Sequence, residues 1–193
     1  MKTTLVTPPA AEPVLIADLK AHLNIDSSFT DDDTYIESLE KVARRYAESV
    51  CRRKFITQTW NLLLEEWPTE NYITFPYGQL ISIVHIKYTD SNEDQSTFST
   101  DDYSIDTDSE PGRGVLDYGK TWPGSTLWPL NAIESQFTLG YGVAGSDVPD
   151  EILFAIKLMV ADMYENREMS VRAVSINKLD TFDNLLSSYR LWY

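Results

Sequence analysis

Between Thr57 and Tyr141 the apolar residues change their period, and this change limits the folds open to the chain more than any other feature. On either side they recur at i, i+3, i+4 and i+7, the spacing of a helix with one face on a core. Inside the stretch, β-branched and aromatic residues come in short bursts separated by Pro, Gly, Asn and Asp, the texture of strands joined by tight turns. Strands are expected over 57–67, 72–75, 80–88, 96–99, 103–106, 114–117 and 132–141. In the third, Ser82, Val84, Ile86 and Tyr88 alternate with Ile81, Ile83, His85 and Lys87, so an antiparallel sheet with one apolar face fits best. Residues 121–131, with Trp122, Pro123, Trp128 and Pro129, form an aromatic loop that should be pinned against something.

The flanks supply the helices. Residues 1–12 look like a flexible arm, after which Leu15, Ile16, Leu19 and Leu23 mark a short helix stopped by Asn24. Tyr35, Ile36, Leu39, Val42, Ala43, Tyr46, Ala47 and Val50 define a longer second helix, capped near Thr30 or Asp31. Its basic cluster, Arg44, Arg45, Arg52, Arg53 and Lys54, suits the negative end of the helix dipole better than a binding patch. The expected fold class is α+β: a helical framework from both chain ends, residues 1–56 and 146–193, with an inserted antiparallel β region at 57–145.

The third helix, from Pro149 to Arg167, carries two apolar faces. Pro149 suits a helix start, and Asp150 and Glu151 lie on the positive end of its dipole. At 100° per residue, Ile152, Leu153, Ile156, Met159, Val160, Met163 and Tyr164 share one broad stripe. Phe154, Leu158 and Ala161 form a second, separated from the first by Asp150 and Lys157 on one side and by Glu151 and Asp162 on the other. Either both faces are covered within the chain, or the second meets another subunit. Leu179, Phe182, Leu185, Leu186 and Tyr189 then fall at helical spacing, and the chain ends on Tyr189, Leu191, Trp192 and Tyr193, aromatic anchors for docking onto the chain's own body or onto a partner.

Composition narrows the function. Of 193 residues, 30 are acidic and 16 basic, a net charge of −14 that repels polyanions, so a nucleic-acid binder of ordinary design is excluded. No apolar run reaches the roughly 18–20 residues of a membrane span, and the N-terminus has no apolar segment of the signal-peptide type, so a soluble, non-exported chain is expected. The single cysteine, Cys51, rules out an internal disulfide and reads as an inert helix-end residue.

The motifs that match chemical signatures by letter fail on context. Gly140, Gly142 and Gly145 match G-x-G-x-x-G, but no helix opens on the third glycine and no βαβ unit surrounds it. The segment 106–112 resembles a calcium loop with glycine one place late and Pro111 at the sharp turn, so a hairpin turn is the better reading. Asp31, Asp32 and Asp33, or Asp101 and Asp102, could serve as paired carboxylates beside Trp122 and Trp128 in a sugar-binding or hydrolase site, yet turns and a helix start account for all of them. His22 and His85 have no nucleophile or metal-ligand partner in sequence. No catalytic residues, metal or cofactor are expected.

The ordered segments resemble a known family. Residues 12–23, an Asp-rich helix start, Arg45-Tyr46-Ala47-Glu48 closing on 56–60, Tyr103-Ser104-Ile105-Asp106 before 111–114, the strand 137–142, and Val148-Pro149 leading to 164–168 are similar to the tailed-phage head-to-tail connector (adaptor) proteins, in their larger β-containing form. The resemblance implies a structural virion protein in the neck. It would form a ring, usually twelve-fold, beneath the portal, with DNA passing through the lumen without specific binding and with neck or tail-completion proteins docking onto it. On that reading Phe154, Leu158 and Ala161 face the neighbouring subunit, and Tyr189, Leu191, Trp192 and Tyr193 face portal or tail proteins. A tail-completion protein of the same phage is the alternative.

Overall fold

The computed structural model describes residues 1–167 and 180–192. The class is α+β, with antiparallel sheets and four α-helices among the described residues. The chain divides into two compact units, Met1–Ala10 with Thr57–Tyr141, and Ala11–Ile56 with Gly142–Tyr193. Residues 1–10 thus go with the strands and 142–145 with the helices, unlike the division expected from sequence.

The sheet unit contains β1 (Lys2–Thr7), β2 (Gln58–Leu64), β3 (Tyr72–Thr74), β4 (Leu80–Thr89), β5 (Gln95–Thr97), β6 (Tyr103–Asp106), β7 (Arg113–Leu116) and β8 (Ile133–Leu139). A five-stranded sheet runs β1-β2-β8-β4-β5, and a three-stranded one runs β3-β7-β6. The first strand corrects the expectation of a flexible arm: Lys2 to Leu5 pair antiparallel with Leu63 to Trp60, which ties them to the sheet edge through the backbone groups on their β2 side. The central strand β8 alternates cleanly, with Ile133, Ser135, Phe137 and Leu139 buried.

The simple alternation read in β4 does not hold. Leu80, Ile83 and Ile86 are buried while Ile81 and Val84 are exposed, a spacing of three. The cause is two register shifts against β8, between Leu80 and Ser82 and between Ile83 and His85, each of which inserts one extra residue. Each insertion turns the next apolar side chain back to the core. Phe75 and Phe137 fill that core with ring centroids 5.0 Å apart.

The aromatic loop is pinned, as its composition predicts. Trp122 stacks on Trp67 at 4.9 Å and 7°, and its indole N–H donates to the Glu70 carbonyl at 2.9 Å. Phe98 packs within 5.4 Å of Trp122 and closes the cluster.

The helical unit contains α1 (Ile16–His22), α2 (Asp33–Cys51), α3 (Asp150–Glu165) and α4 (Asp180–Ser187). Asn24 ends α1 in the left-handed region at φ 56°, and Ile25 N–H donates to the Lys20 carbonyl at 2.9 Å, the six-to-one closure expected of that stop. At the opposite end of α3, the Tyr164 hydroxyl donates to Asp32 at 2.5 Å and the Arg167 guanidinium lies 4.8 Å from the Tyr35 ring centre. Cys51 is fully buried, and burial pushes its thiol up to about 11, which leaves it a packing residue.

Sequence reading missed a buried charge network. Arg44 donates to Glu12 at 2.6 Å and pairs with Glu48 at 3.2 Å, and Lys54 reaches Glu48 at 3.0 Å. The i, i+4 spacing of Arg44 and Glu48 is its only local signal. Arg44 and Lys54 therefore belong to the interior wiring of the unit, as part of what holds the α2 C-terminus.

Glu40 accepts the Val14 N–H at 2.8 Å in the same buried layer. Burial pushes its carboxyl up from 4.5 to about 7, a rise that the Val14 bond only partly offsets. Because the folded state holds this proton more tightly, its contribution is full below about pH 4.5 and is lost as pH rises toward 7. Glu40→Gln keeps the acceptor without the charge. It is expected to raise stability at pH 8 by on the order of 2 kcal/mol and to change it little at pH 4, as thermal unfolding at the two pH values would show.

Candidate assembly surfaces

The chemistry proposed and rejected from sequence is resolved by position. Asp106 accepts from Ser109 and from Arg113 at 2.7 Å, and these bonds hold its carboxyl down at about 2, so its oxygens serve a hairpin turn. Asp102 pairs with Lys120 at 2.5 Å and Asp33 with Lys20 at 2.6 Å. Trp122 is occupied in the aromatic stack, and the carboxylates sit on separate turns rather than facing one another around a pocket. His85 meets Glu134 at 3.2 Å on neighbouring strands, and His22 lies edge-on to Phe154. Among the described residues no group of three or more His, Cys, Asp or Glu is placed to hold a metal.

The glycine motif has a steric explanation. A Cβ on Gly142 would stand 2.1 Å from the Asp147 carboxylate, and one on Gly145 would stand 1.9 Å from the Pro13 carbonyl. Asp147 in turn accepts the Ala144 N–H at 3.0 Å. The segment is a tight, hydrogen-bonded entry to α3.

The second strip of α3 is the feature that stays open. Ile152, Ala155, Ile156 and Val160 are buried in the helical unit, whereas Phe154 keeps 46% of its surface and Leu158 and Ala161 are half-buried. Phe154 meets the edge of the His22 ring, with centroids 6.0 Å apart. A groove of about 460 Å³ runs beside it, lined by Asp150, Glu151, Leu153, Phe154, Lys157 and Leu185. Asp150, Glu151, Asp162 and Glu165 are exposed and give the strip an acidic border.

The C-terminal residues divide between two roles. Leu191 is 7% exposed and its N–H donates to the Cys51 carbonyl at 3.0 Å, so it fastens the terminus to α2 and is not an outward anchor. The Tyr189 hydroxyl donates to Glu151 at 2.8 Å, which holds that carboxyl below its usual range, and Arg53 donates to the Tyr189 carbonyl at 2.5 Å. Trp192, at 82% exposed, is the aromatic that faces outward, and Tyr193 lies outside the described residues.

Apolar helix surface left open on α3 is the kind of surface that assembly proteins bury against a neighbour. The family of the chain follows from sequence: residues 14–115 match the model of the phage gp6-like head-tail connector proteins, and the chain belongs to that family. No match is found among curated protein sequences. Among solved structures, it is similar to a chain in the neck of an empty gene transfer agent (GTA) particle computed with C6 symmetry, at TM-score 0.83 and 19% identity, covering 100% of this chain and 97% of that one. Chains in the native GTA virion and in the native GTA neck computed with C12 symmetry give TM-scores of 0.81 and 0.79 at 18% and 19% identity, with the same coverage. The fold is therefore shared along its whole length, and the role is that of a structural head-tail connector.

Proposed function

We propose that the chain is one subunit of a closed ring in the neck of a virion, seated beneath the portal, through which the genome passes and on which neck or tail-completion proteins dock. The open strip of Phe154, Leu158 and Ala161 on a framework helix carries this reading, because a closed ring buries one patch against a different patch of the neighbour. The similar chains in GTA necks computed with C6 and C12 symmetry support it. A net charge of −14, repeated around the ring, makes a conduit from which DNA is repelled, and so it moves without sticking. The work of such a chain is mechanical and adhesive rather than catalytic.

Cryo-electron microscopy or native mass spectrometry of the protein with its portal tests this. A ring bound to the portal is expected, and a persistent monomer that never joins it would overturn the reading. Monomer in isolation would not, since a portal can template assembly.

The terminus gives a separable outcome. Trp192→Ser should leave unfolding unchanged and weaken docking to portal or tail protein roughly tenfold or more, as loss of an aromatic hot spot does. Leu191→Asp should instead lower stability by about 2–4 kcal/mol, since it buries a charge where an apolar side chain sat. Denaturant unfolding and pull-down of the two variants separate the roles.

A further inference from the structure

We propose that the outward face of α2 is the counter-surface that receives the α3 strip of the next copy. This rests on the ring reading and names the partner of the Phe154 strip. The buried side of α2 carries Ile36, Glu40, Ala43, Arg44, Ala47, Glu48 and Cys51. Half a turn away, at 100° per residue, Thr34, Ser38, Lys41, Val42, Arg45 and Ser49 share the opposite face, and all are exposed.

Two properties mark that face. Val42 keeps 52% of its surface, and Tyr46, one turn on at the edge of that face, keeps 50% while its ring packs against Phe182 of α4 at 5.6 Å. Lys41 and Arg45 are also one turn apart, and neither forms an ion pair among the described residues. Like charges at this spacing repel by a few tenths of a kcal/mol. In a chain of net charge −14, two exposed cations outside any ion pair, beside two half-open apolar side chains, suit an acidic, apolar counterpart.

The α3 strip has that composition. Phe154, Leu158 and Ala161 are bordered by the exposed carboxylates Asp150, Glu151, Asp162 and Glu165 against the single cation Lys157. Basic-apolar on one helix and acidic-apolar on another is a heterologous pair, the kind that propagates head to tail and closes into a ring. The contact places Val42 and Tyr46 against Phe154, and Lys41 and Arg45 against the acidic border.

Disulfide trapping tests the geometry. Cys51 is fully buried and does not compete, so Val42→Cys with Phe154→Cys, under mild oxidant at high protein concentration, should give a ladder of covalent oligomers, while neither single variant should pass the dimer. Lys41→Glu with Arg45→Glu should weaken assembly at least tenfold in native mass spectrometry, and adding Asp150→Lys should recover part of the loss. Circular dichroism checks that each variant is folded. Rings that form normally in Lys41→Glu/Arg45→Glu, with no ladder from the double cysteine variant, overturn this contact and leave the ring intact. A wild-type chain that makes no ring with its portal overturns both.

Discussion

Arg44→Met is expected to destabilise the helical unit by about 3–5 kcal/mol, the usual cost of removing one partner from a buried ion pair. The Arg44 side chain is 6% exposed and bridges Glu12 at 2.6 Å and Glu48 at 3.2 Å. Methionine fills much of its volume but takes one cation from the Glu48 carboxylate, 2% exposed, whose other partners include Lys54 and the Phe55 N–H. Adding Glu48→Met should recover much of the loss, because an apolar pair of similar volume needs no solvation. Urea unfolding of the two single variants and the double variant closes the cycle. A loss under about 1 kcal/mol for Arg44→Met would show that the network contributes placement and little stability.

In the sheet unit the largest effect is expected from Phe137→Ala, at about 3–5 kcal/mol. Phe137 is fully buried on β8, opposite Trp60 of β2 and Ile83 of β4, and its ring meets Phe75 at 5.0 Å. Close packing from two strands and a facing ring gives the site little freedom to collapse around the lost side chain. Ile81→Ala is the internal comparison: it also truncates a large apolar side chain of the same sheet, but at an exposed bulge position, and should cost less than about 1 kcal/mol. Equal losses at the two positions would mean that the bulge does not turn Ile81 outward.

These two sites also show where sequence is readable. β6 lies over Tyr103–Asp106 as its alternation and Asp turn predict, and Phe137 follows the period of two throughout β8. In β4 each bulge is a choice made against a partner strand, and a single strand's letters do not record it. β1 was missed for a related reason. An edge strand of Lys2, three threonines, Leu5 and Val6 has no buried face of its own, and its pairing partner lies more than fifty residues away. The open strip of α3 was legible because a helix wheel separates it from the core stripe without any tertiary knowledge. The anchoring of Leu191 was not, since an aromatic-rich terminus reads the same whether it is fastened or free, and the Cys51 carbonyl that fastens it is supplied by the end of α2.

The early strand β1 has a further meaning for the order of events during synthesis. The sheet unit draws on residues 1–10 and 57–141, and the helical unit on residues 11–56 and everything from Gly142 onward. The sheet unit has all its strands once β8 has emerged, whereas α1 and α2, made before most of it, must wait for α3 to cover their apolar sides. With α2 ending at Cys51 and α3 beginning at Asp150, that wait spans about 100 residues, or about 5–20 s on a translating ribosome. A nascent connector chain thus closes its sheet unit first, and its helical surfaces come into being only after α3 has been made.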